Sequence, residues 1–214
     1  FLIEDAAHAH GAFISKNLYA GTIGDIGCFS FYPTKVMTTG EGGMLTTNNK
    51  GLFKKMNSHK NFGRGSNPQI INFLGANYKI SEFTAILGIL ELERIKKRID
   101  RRKNITLRYK KNLENNTDYE IITQKTGRAS YYKCIIKTKM LSHLIEKHCK
   151  KNGITLTGKV WDIPIHKQKV FKKYIKKTNL KNSEMFSKYH ICPPNYPELK
   201  NSEVDYICSV LNGI

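Results

Sequence analysis

The chain has 214 residues, 40% of them hydrophobic, and a net charge of +19 from 36 lysines and arginines against 17 acidic residues. That length suits one or two domains, that apolar content argues against wholesale disorder, and no apolar run approaches the roughly 18–20 residues of a membrane span. Five widely spaced cysteines without a C-x-x-C argue against a disulfide framework or a zinc ribbon and point to a reducing, cytoplasmic setting.

In chain order, Phe1-Leu2-Ile3 followed by Glu4-Asp5-Ala6-Ala7-His8-Ala9-His10-Gly11 predicts a buried strand ending in a polar, small-residue turn. The apolar start without an initiator methionine is the pattern of a fragment. In open α/β sheets ligands lie beyond the carboxyl ends of strands, which puts Asp5 and His8 where a ligand would be. On the residues alone, an Asp in that place also serves as a helix cap. Neither His8-x-His10 nor His190-x-Cys192 has a partner pair at ligand spacing, so no metal site is expected. Gly21, Gly24 and Gly27 mark a connection back into the sheet, and Ile26 to Phe31 has the length and aromatic content of a buried strand. Ser30 within it reads as a small filler. Pro33 stops the strand because proline has no N–H to continue a ladder. Lys35 then stands between that stop and the cluster Gly40-Glu41-Gly42-Gly43. It is either one more surface charge or an amine reaching into a closed site, where desolvation makes it a usable nucleophile.

Gly42 to Thr47 predicts the return strand, Asn48-Asn49 a turn, Leu52 to Phe62 a helix, and Asn61 to Pro68 a polar loop. Ser81-Glu82 is a helix start, and Phe83, Ile86, Leu87 and Leu90 fall at i, i+3, i+4 and i+7, with helical patterning to about Leu113. Arg94 to Lys103 is the densest basic block; Ile95 and Ile99 give it one buried stripe with a basic outer face. Weak, non-specific attraction to polyanions at low salt follows from the charge, but no aromatic interleaves that block to stack on bases. Asn115-Asn116-Thr117-Asp118 is a polar break, which divides the chain into 1–114 and 115–214. Beyond it the pattern predicts a strand (Tyr131 to Lys137), a helix (Leu141 to Lys151) stopped by Gly153, a strand (Ile154 to Trp161), a lysine-rich helical segment (Phe171 to Lys177) and a closing helix (Ser202 to Leu211), as in a small α+β domain.

Three stretches carry a resemblance: EDAAHAHGA from Glu4, FSFYPTK…TTGEGGM from Phe29 to Met44, and GANYKISEFTAILGILELERI from Gly75. Together they resemble the DegT–StrS family of nucleotide-sugar aminotransferases, enzymes that use pyridoxal 5′-phosphate (PLP). The resemblance implies an α/β, type I PLP-dependent transferase fold, here the back part of the large mixed-sheet domain plus a small α+β C-terminal domain. It implies that Lys35 forms the Schiff base with PLP, that Asp5 pairs with the protonated pyridine nitrogen, and that His8 contacts the cofactor near its ring oxygen. It further implies that Ser30 binds the phosphate and that Asn77 reaches the phosphate held by the neighbouring subunit of a homodimer. Family members more often carry Arg where this chain has Lys79, and arginine's bidentate contact is not reproduced by lysine. Val160 to His166 resembles the stretch that folds back toward substrate, which leaves His166 open between a substrate contact and a packed loop histidine. The N-terminal part of such enzymes brings a further phosphate-binding turn and an aromatic that stacks on the ring; nothing in these residues replaces them.

The reading that follows is an aminotransferase acting on a nucleotide-linked keto-deoxyhexose, with glutamate as amino donor, in the making of amino sugars for surface polysaccharide or glycan. The dehydrase branch of the family replaces the lysine with histidine, and Lys35 argues against it. An inactive fragment, or a sugar-nucleotide binding remnant of the same fold, is the alternative from a different class. No specific nucleic-acid partner and no membrane are expected.

Overall fold

The apolar start Phe1-Leu2-Ile3 leads into β1 (Ile3–Asp5), whose Ile3 and Asp5 are exposed rather than buried as expected. The computed structural model describes residues 1–175 and 179–214. After β1 the chain makes a short hairpin of β2 (Phe13–Ser15) and β3 (Leu18–Tyr19), turning at Asn17 with φ 70°. It then re-enters the sheet as β4 (Ile26–Ser30) and returns as β5 (Gly43–Thr46). β4 is central: it pairs in parallel with β1, Ile3 opposite Ile26 and Asp5 opposite Cys28, and antiparallel with β5, Ser30 opposite Gly43. Gly27 is required in it, because a Cβ there would lie 2.2 Å from the Gly21 carbonyl oxygen.

Helix α1 (Lys50–Lys60) forms two residues ahead of the expected span of Leu52 to Phe62, because the Asn49 side chain accepts from the Gly51 and Leu52 N–H groups and starts the helix there. Helix α2 (Glu82–Asn112) starts as read, Ser81 Oγ accepting from Thr84 N–H. Its predicted stripe of Phe83, Ile86, Leu87 and Leu90 is exposed, Phe83 at 87%. Periodicity fixes the helix and its apolar face; burial depends on what packs beside that face, and the described residues leave it open.

Two compact units result, residues 1–99 with 124–132, and residues 100–123 with 133–214. The expected boundary at 114/115 falls inside the second. That unit has an antiparallel sheet of β6 (Tyr119–Ile121), β7 (Ile136–Thr138) and β8 (His190–Ile191), in that order. Helices α3 (Ser142–Lys151), α4 (Lys181–Lys188) and α5 (Asn201–Asn212) accompany it. Its core packs Ile105, Tyr109 and Leu113 of α2 with Ile136, Ile145, Ile191, Val204 and Leu211. In the basic block Ile99 is buried as expected, but Arg102 is buried too and donates to the Asn195 carbonyl, and Arg101 donates to the Pro197 carbonyl at 3.2 Å.

Several expected elements differ. The strand from Tyr131 shrinks to β7, because Tyr131 sits at φ 53° and the chain through Tyr132 belongs to the first unit. No strand forms over 154–161: Gly158 turns at φ 73°, and the carbonyls of Thr157, Gly158 and Lys159 are taken by the Lys133 ammonium at 2.9–3.3 Å rather than by a ladder. The lysine-rich segment makes a 3₁₀ turn at Lys169–Phe171 and a further turn over 172–174 rather than a helix, and residues 176 and 177 of that expectation lie outside the described residues. Helix α4 was not anticipated.

Candidate functional site

Side chains alternate across a sheet, and residues paired in register share a face. Asp5, paired with Cys28, therefore projects on the same face as Ser30, two residues beyond Cys28, while Glu4, Gly27 and Phe29 project on the other. Glu4 behaves accordingly. Its carboxylate accepts the N–H groups of Gly21, Ile23 and Gly24 at 2.7–2.8 Å, next to Gly21's close approach to the Phe29 ring. These bonds, Gly24's foremost, hold the Glu4 carboxyl below the usual range against partial desolvation. Glu4 thus pins the 21–24 connection that delivers β4 beside β1. Asp5 and Ser30 are the last residues of those two parallel strands, so a carboxylate and a hydroxyl stand at one carboxyl end of the sheet. One Asp5 oxygen accepts the Ala7 N–H at 3.1 Å; Ser30 Oγ accepts from Tyr32 N–H at 3.3 Å.

Lys35 is presented by a closed loop. Its own N–H bonds the Tyr32 carbonyl at 2.9 Å, making a turn across Pro33-Thr34. The loop neck is sealed by Phe31 N–H to the Gly42 carbonyl, and by Thr39 N–H and Thr38 Oγ to the Phe31 carbonyl, at 2.8–3.0 Å. Buried Val36 and Met37 anchor the base, which leaves Lys35 half-buried at the rim. Gly42 at φ 143° makes the glycine cluster intelligible, since a side chain there would be strained and would press on Thr39 Oγ at 2.9 Å. The Lys35 amine makes no hydrogen bond or ion pair among the described residues; it lies 5.0 Å from the centroid of the Tyr132 ring.

Tyr132 also stacks on His8, with ring centroids 4.2 Å apart, and its hydroxyl is 2.9 Å from Thr34 Oγ. His8 and Lys35 are thereby brought to one aromatic ring. Beneath them His10 is buried against Phe29 and Phe31, with neither ring nitrogen in a hydrogen bond of good geometry. Burial pushes its pKa down, opposed by the Ser30 backbone and reinforced by the charges of Lys35 and His8. Asn77 is not joined to this cluster. It bridges to Asn61 in the loop after α1, where Lys79 Nζ donates to Asn61 Oδ1 at 2.8 Å and lies over Phe62.

In the second unit, His166 bonds Glu184 at 3.0 Å and is packed, the plainer of its two readings; that bond is the main reason the Glu184 carboxyl titrates low. Both nitrogens of His190 are used within the protein, Nδ1 donating to the Phe186 carbonyl and Nε2 accepting from Val160 N–H, so the ring is neutral and unavailable to a metal. Two residues of the first unit's cluster escaped sequence reading. Glu4 was recoverable from strand alternation next to Asp5. Tyr132 was not, because nothing local says that the chain returns to the first unit after β6.

Residues 1–212 match the DegT/DnrJ/EryC1/StrS aminotransferase family. The chain belongs to that family. Among its relatives, the GDP-perosamine synthase of Escherichia coli O157:H7 is 29% identical over 219 residues, 99% of this chain and 57% of the relative. The UDP-4-amino-4,6-dideoxy-N-acetyl-beta-L-altrosamine transaminase of Campylobacter jejuni is 28% identical across 100% of this chain and 58% of its own length. The chain thus spans somewhat over half of these DegT/DnrJ/EryC1/StrS relatives. The crystal structure of a family aminotransferase from Brucella abortus superposes with a TM-score of 0.92 at 24% identity, over 100% of this chain and 57% of that one. The fold is accordingly the family's α/β mixed-sheet, type I PLP architecture with a separate small α+β C-terminal part.

Proposed function

We propose that the protein is a PLP-dependent aminotransferase that moves an amino group from glutamate to a nucleotide-linked keto-deoxyhexose, working as a cytoplasmic homodimer in amino-sugar biosynthesis. The observation that carries the reading is the pair of strand ends: an acid, Asp5, and a hydroxyl, Ser30, on one face at one carboxyl edge, with an uncommitted amine, Lys35, five residues beyond Ser30. That donor set fits PLP. The cofactor has an aldehyde for an amine, a ring nitrogen for a carboxylate and a phosphate for a hydroxyl, and Asp5 retains an oxygen that makes no hydrogen bond among the described residues. Bound PLP supplies an electron sink that stabilises negative charge at the carbon losing its proton.

In this reading the Asp5 carboxylate keeps the facing ring nitrogen protonated. Ser30 Oγ donates to the phosphate. Lys35 Nζ holds the cofactor, takes the proton that leaves the donor's α-carbon, and in the second half of the cycle returns a proton to the sugar carbon that becomes aminated. His8 borders the cofactor near its ring oxygen, and Asn77 serves the phosphate of the neighbouring subunit, which is consistent with its separation from this chain's own cluster. A GDP-perosamine synthase and a UDP-linked altrosamine transaminase among the relatives support a sugar nucleotide as acceptor.

Borohydride reduction of the protein incubated with PLP, followed by peptide mapping, should place the pyridoxyl group on Lys35. Transfer from glutamate to a panel of nucleotide-linked keto sugars should then identify the acceptor. A pyridoxyl group found on another lysine, or no capture at all, refutes the assignment and favours a remnant that binds sugar nucleotide without reacting.

A further inference from the structure

The segment 124–132 leaves the second unit's part of the chain and is sewn onto the first. Phe13 and Arg128 exchange backbone hydrogen bonds at 2.8 and 2.9 Å, the Arg128 guanidinium donates to the Gly11 carbonyl at 3.0 Å, and Ser130 Oγ donates to the His8 carbonyl at 2.5 Å. Gly127, at φ 70°, permits the approach, since a Cβ there would stand 2.0 Å from the Phe13 carbonyl oxygen. The next turn is made at Tyr131 in the left-handed region, φ 53°, which a bulky residue rarely adopts. Strain of this kind persists where surrounding contacts over-determine it, and it gathers at functional sites. Its effect here is to aim Tyr132. One ring lies 4.2 Å from His8 in a near-parallel stack, 5.0 Å from Lys35 Nζ, and ties its hydroxyl to Thr34, the residue before the lysine.

We propose that Tyr132 is a positioning residue, whose ring holds the Lys35 ammonium and the His8 imidazole in the arrangement that receives PLP. This rests on the reading of Lys35 as the cofactor-holding amine. Three groups from two separate loops converge on Tyr132, and each contact is of a kind that fixes orientation: a ring stack, a cation over a π face, and a directional hydrogen bond. The amine has no other partner among the described residues, so the ring is what restricts its position. The ring matters more than the hydroxyl, because two of the three contacts use it.

The test separates the contact from the chemistry. Lysines of the cofactor-free protein are dimethylated with ¹³C-formaldehyde and a mild reductant, which keeps their charge, and the Lys35 signal is assigned by its loss in Lys35→Arg. Held against an aromatic ring, the Lys35 methyl signal should be displaced upfield from those of the many solvated lysines. The displacement should survive in Tyr132→Phe and vanish in Tyr132→Leu. A Lys35 signal indistinguishable from the solvated lysines in the parent, or unmoved in Tyr132→Leu, overturns the proposal. The rate of PLP capture, followed by absorbance, should fall about two- to fivefold in Tyr132→Leu, the scale of an exposed cation–π contact, and recover in Tyr132→Phe. Capture at the parent's rate in Tyr132→Leu overturns the role given to Tyr132. Absence of capture at Lys35 in the parent overturns the aminotransferase reading instead, and the methyl spectra tell the two failures apart.

Discussion

The surroundings of Lys35 and the core of the second unit are built on opposite principles. Around Lys35 the chain is held by directional bonds: backbone pairs at the loop neck, the three N–H groups on Glu4, and side-chain hydroxyls on carbonyls, with Val36 and Met37 as the main apolar anchors. The second unit is held by packing, with Tyr109, Ile136, Ile145, Cys149 and Ile191 fully buried in one cluster. Directional bonds aim groups while leaving them open to a ligand; packing contributes more to stability but buries what it holds. The polar cluster at the sheet's end should accordingly govern chemistry and the apolar one stability, and mutations should separate the two.

The largest expected separation is Lys35→Ala. General acid–base groups contribute about 10²–10⁴-fold to rate, so turnover should fall at least that far, while thermal unfolding stays near the parent because the amine's contact is to one ring. Turnover within tenfold of the parent would mean that the polar cluster does not govern the chemistry. The mirror-image change is Ile145→Ala, which removes a fully buried side chain from the second unit's core. Large-to-small core substitutions cost about 2–5 kcal/mol. Urea unfolding should show that loss, with PLP capture on Lys35 of the remaining folded protein unchanged.

Legibility followed the same division. Elements marked by local chemistry were readable: α2 by Ser81, the Lys35 loop by Pro33 and its glycines, and β4 by its aromatic run. The edge shared by Asp5 and Ser30 was accessible too, since two parallel strands ending in polar residues put those residues at one end. What escaped depends on contacts distant in sequence. The extended stretch 154–161 has strand composition, but Lys133, more than twenty residues earlier, takes its carbonyls. Tyr131-Tyr132 has strand composition as well, yet the chain there is claimed by Phe13, Gly11 and His8, over a hundred residues away. The face of Phe83 and Leu90 was legible as a face; its exposure is a property of neighbours the pattern does not contain.

Alkaline titration probes the packed core of the second unit. Burial in the second unit's core pushes the thiols of Cys149 and Cys192 up to about 11, and that of Cys208 up to about 12. In the unfolded chain a thiol ionises near 8.5. Between that value and about 11 the unfolded state therefore binds fewer protons than the folded one, and stability falls as pH rises, by up to about 1.4 kcal/mol per pH unit for each thiol. Denaturation midpoints followed from pH 8 to 10.5 should drop, and Cys149→Ser with Cys192→Ser should flatten the drop. A slope unchanged by those substitutions would mean that other groups set the alkaline limit.

The smallest effect tests the directional side. Glu4 binds three N–H groups, but it is only partly buried, so the charge contributes less than a fully buried one would. Glu4→Gln keeps the shape and offers one acceptor oxygen in place of two, and it should cost about 0.5–1.5 kcal/mol at neutral pH. The sign with pH follows from the lowered carboxyl. The contribution is full above the unfolded value of about 4.3 and is lost as pH falls through the lower folded value, because protonation removes the acceptor that the folded state prefers. The gap between parent and Glu4→Gln should therefore close on acidification from pH 6 to 3. If it stays constant, what pins the 21–24 connection beside β1 is the shape of the side chain, and the ionised acid is not needed to bring Ser30 alongside Asp5.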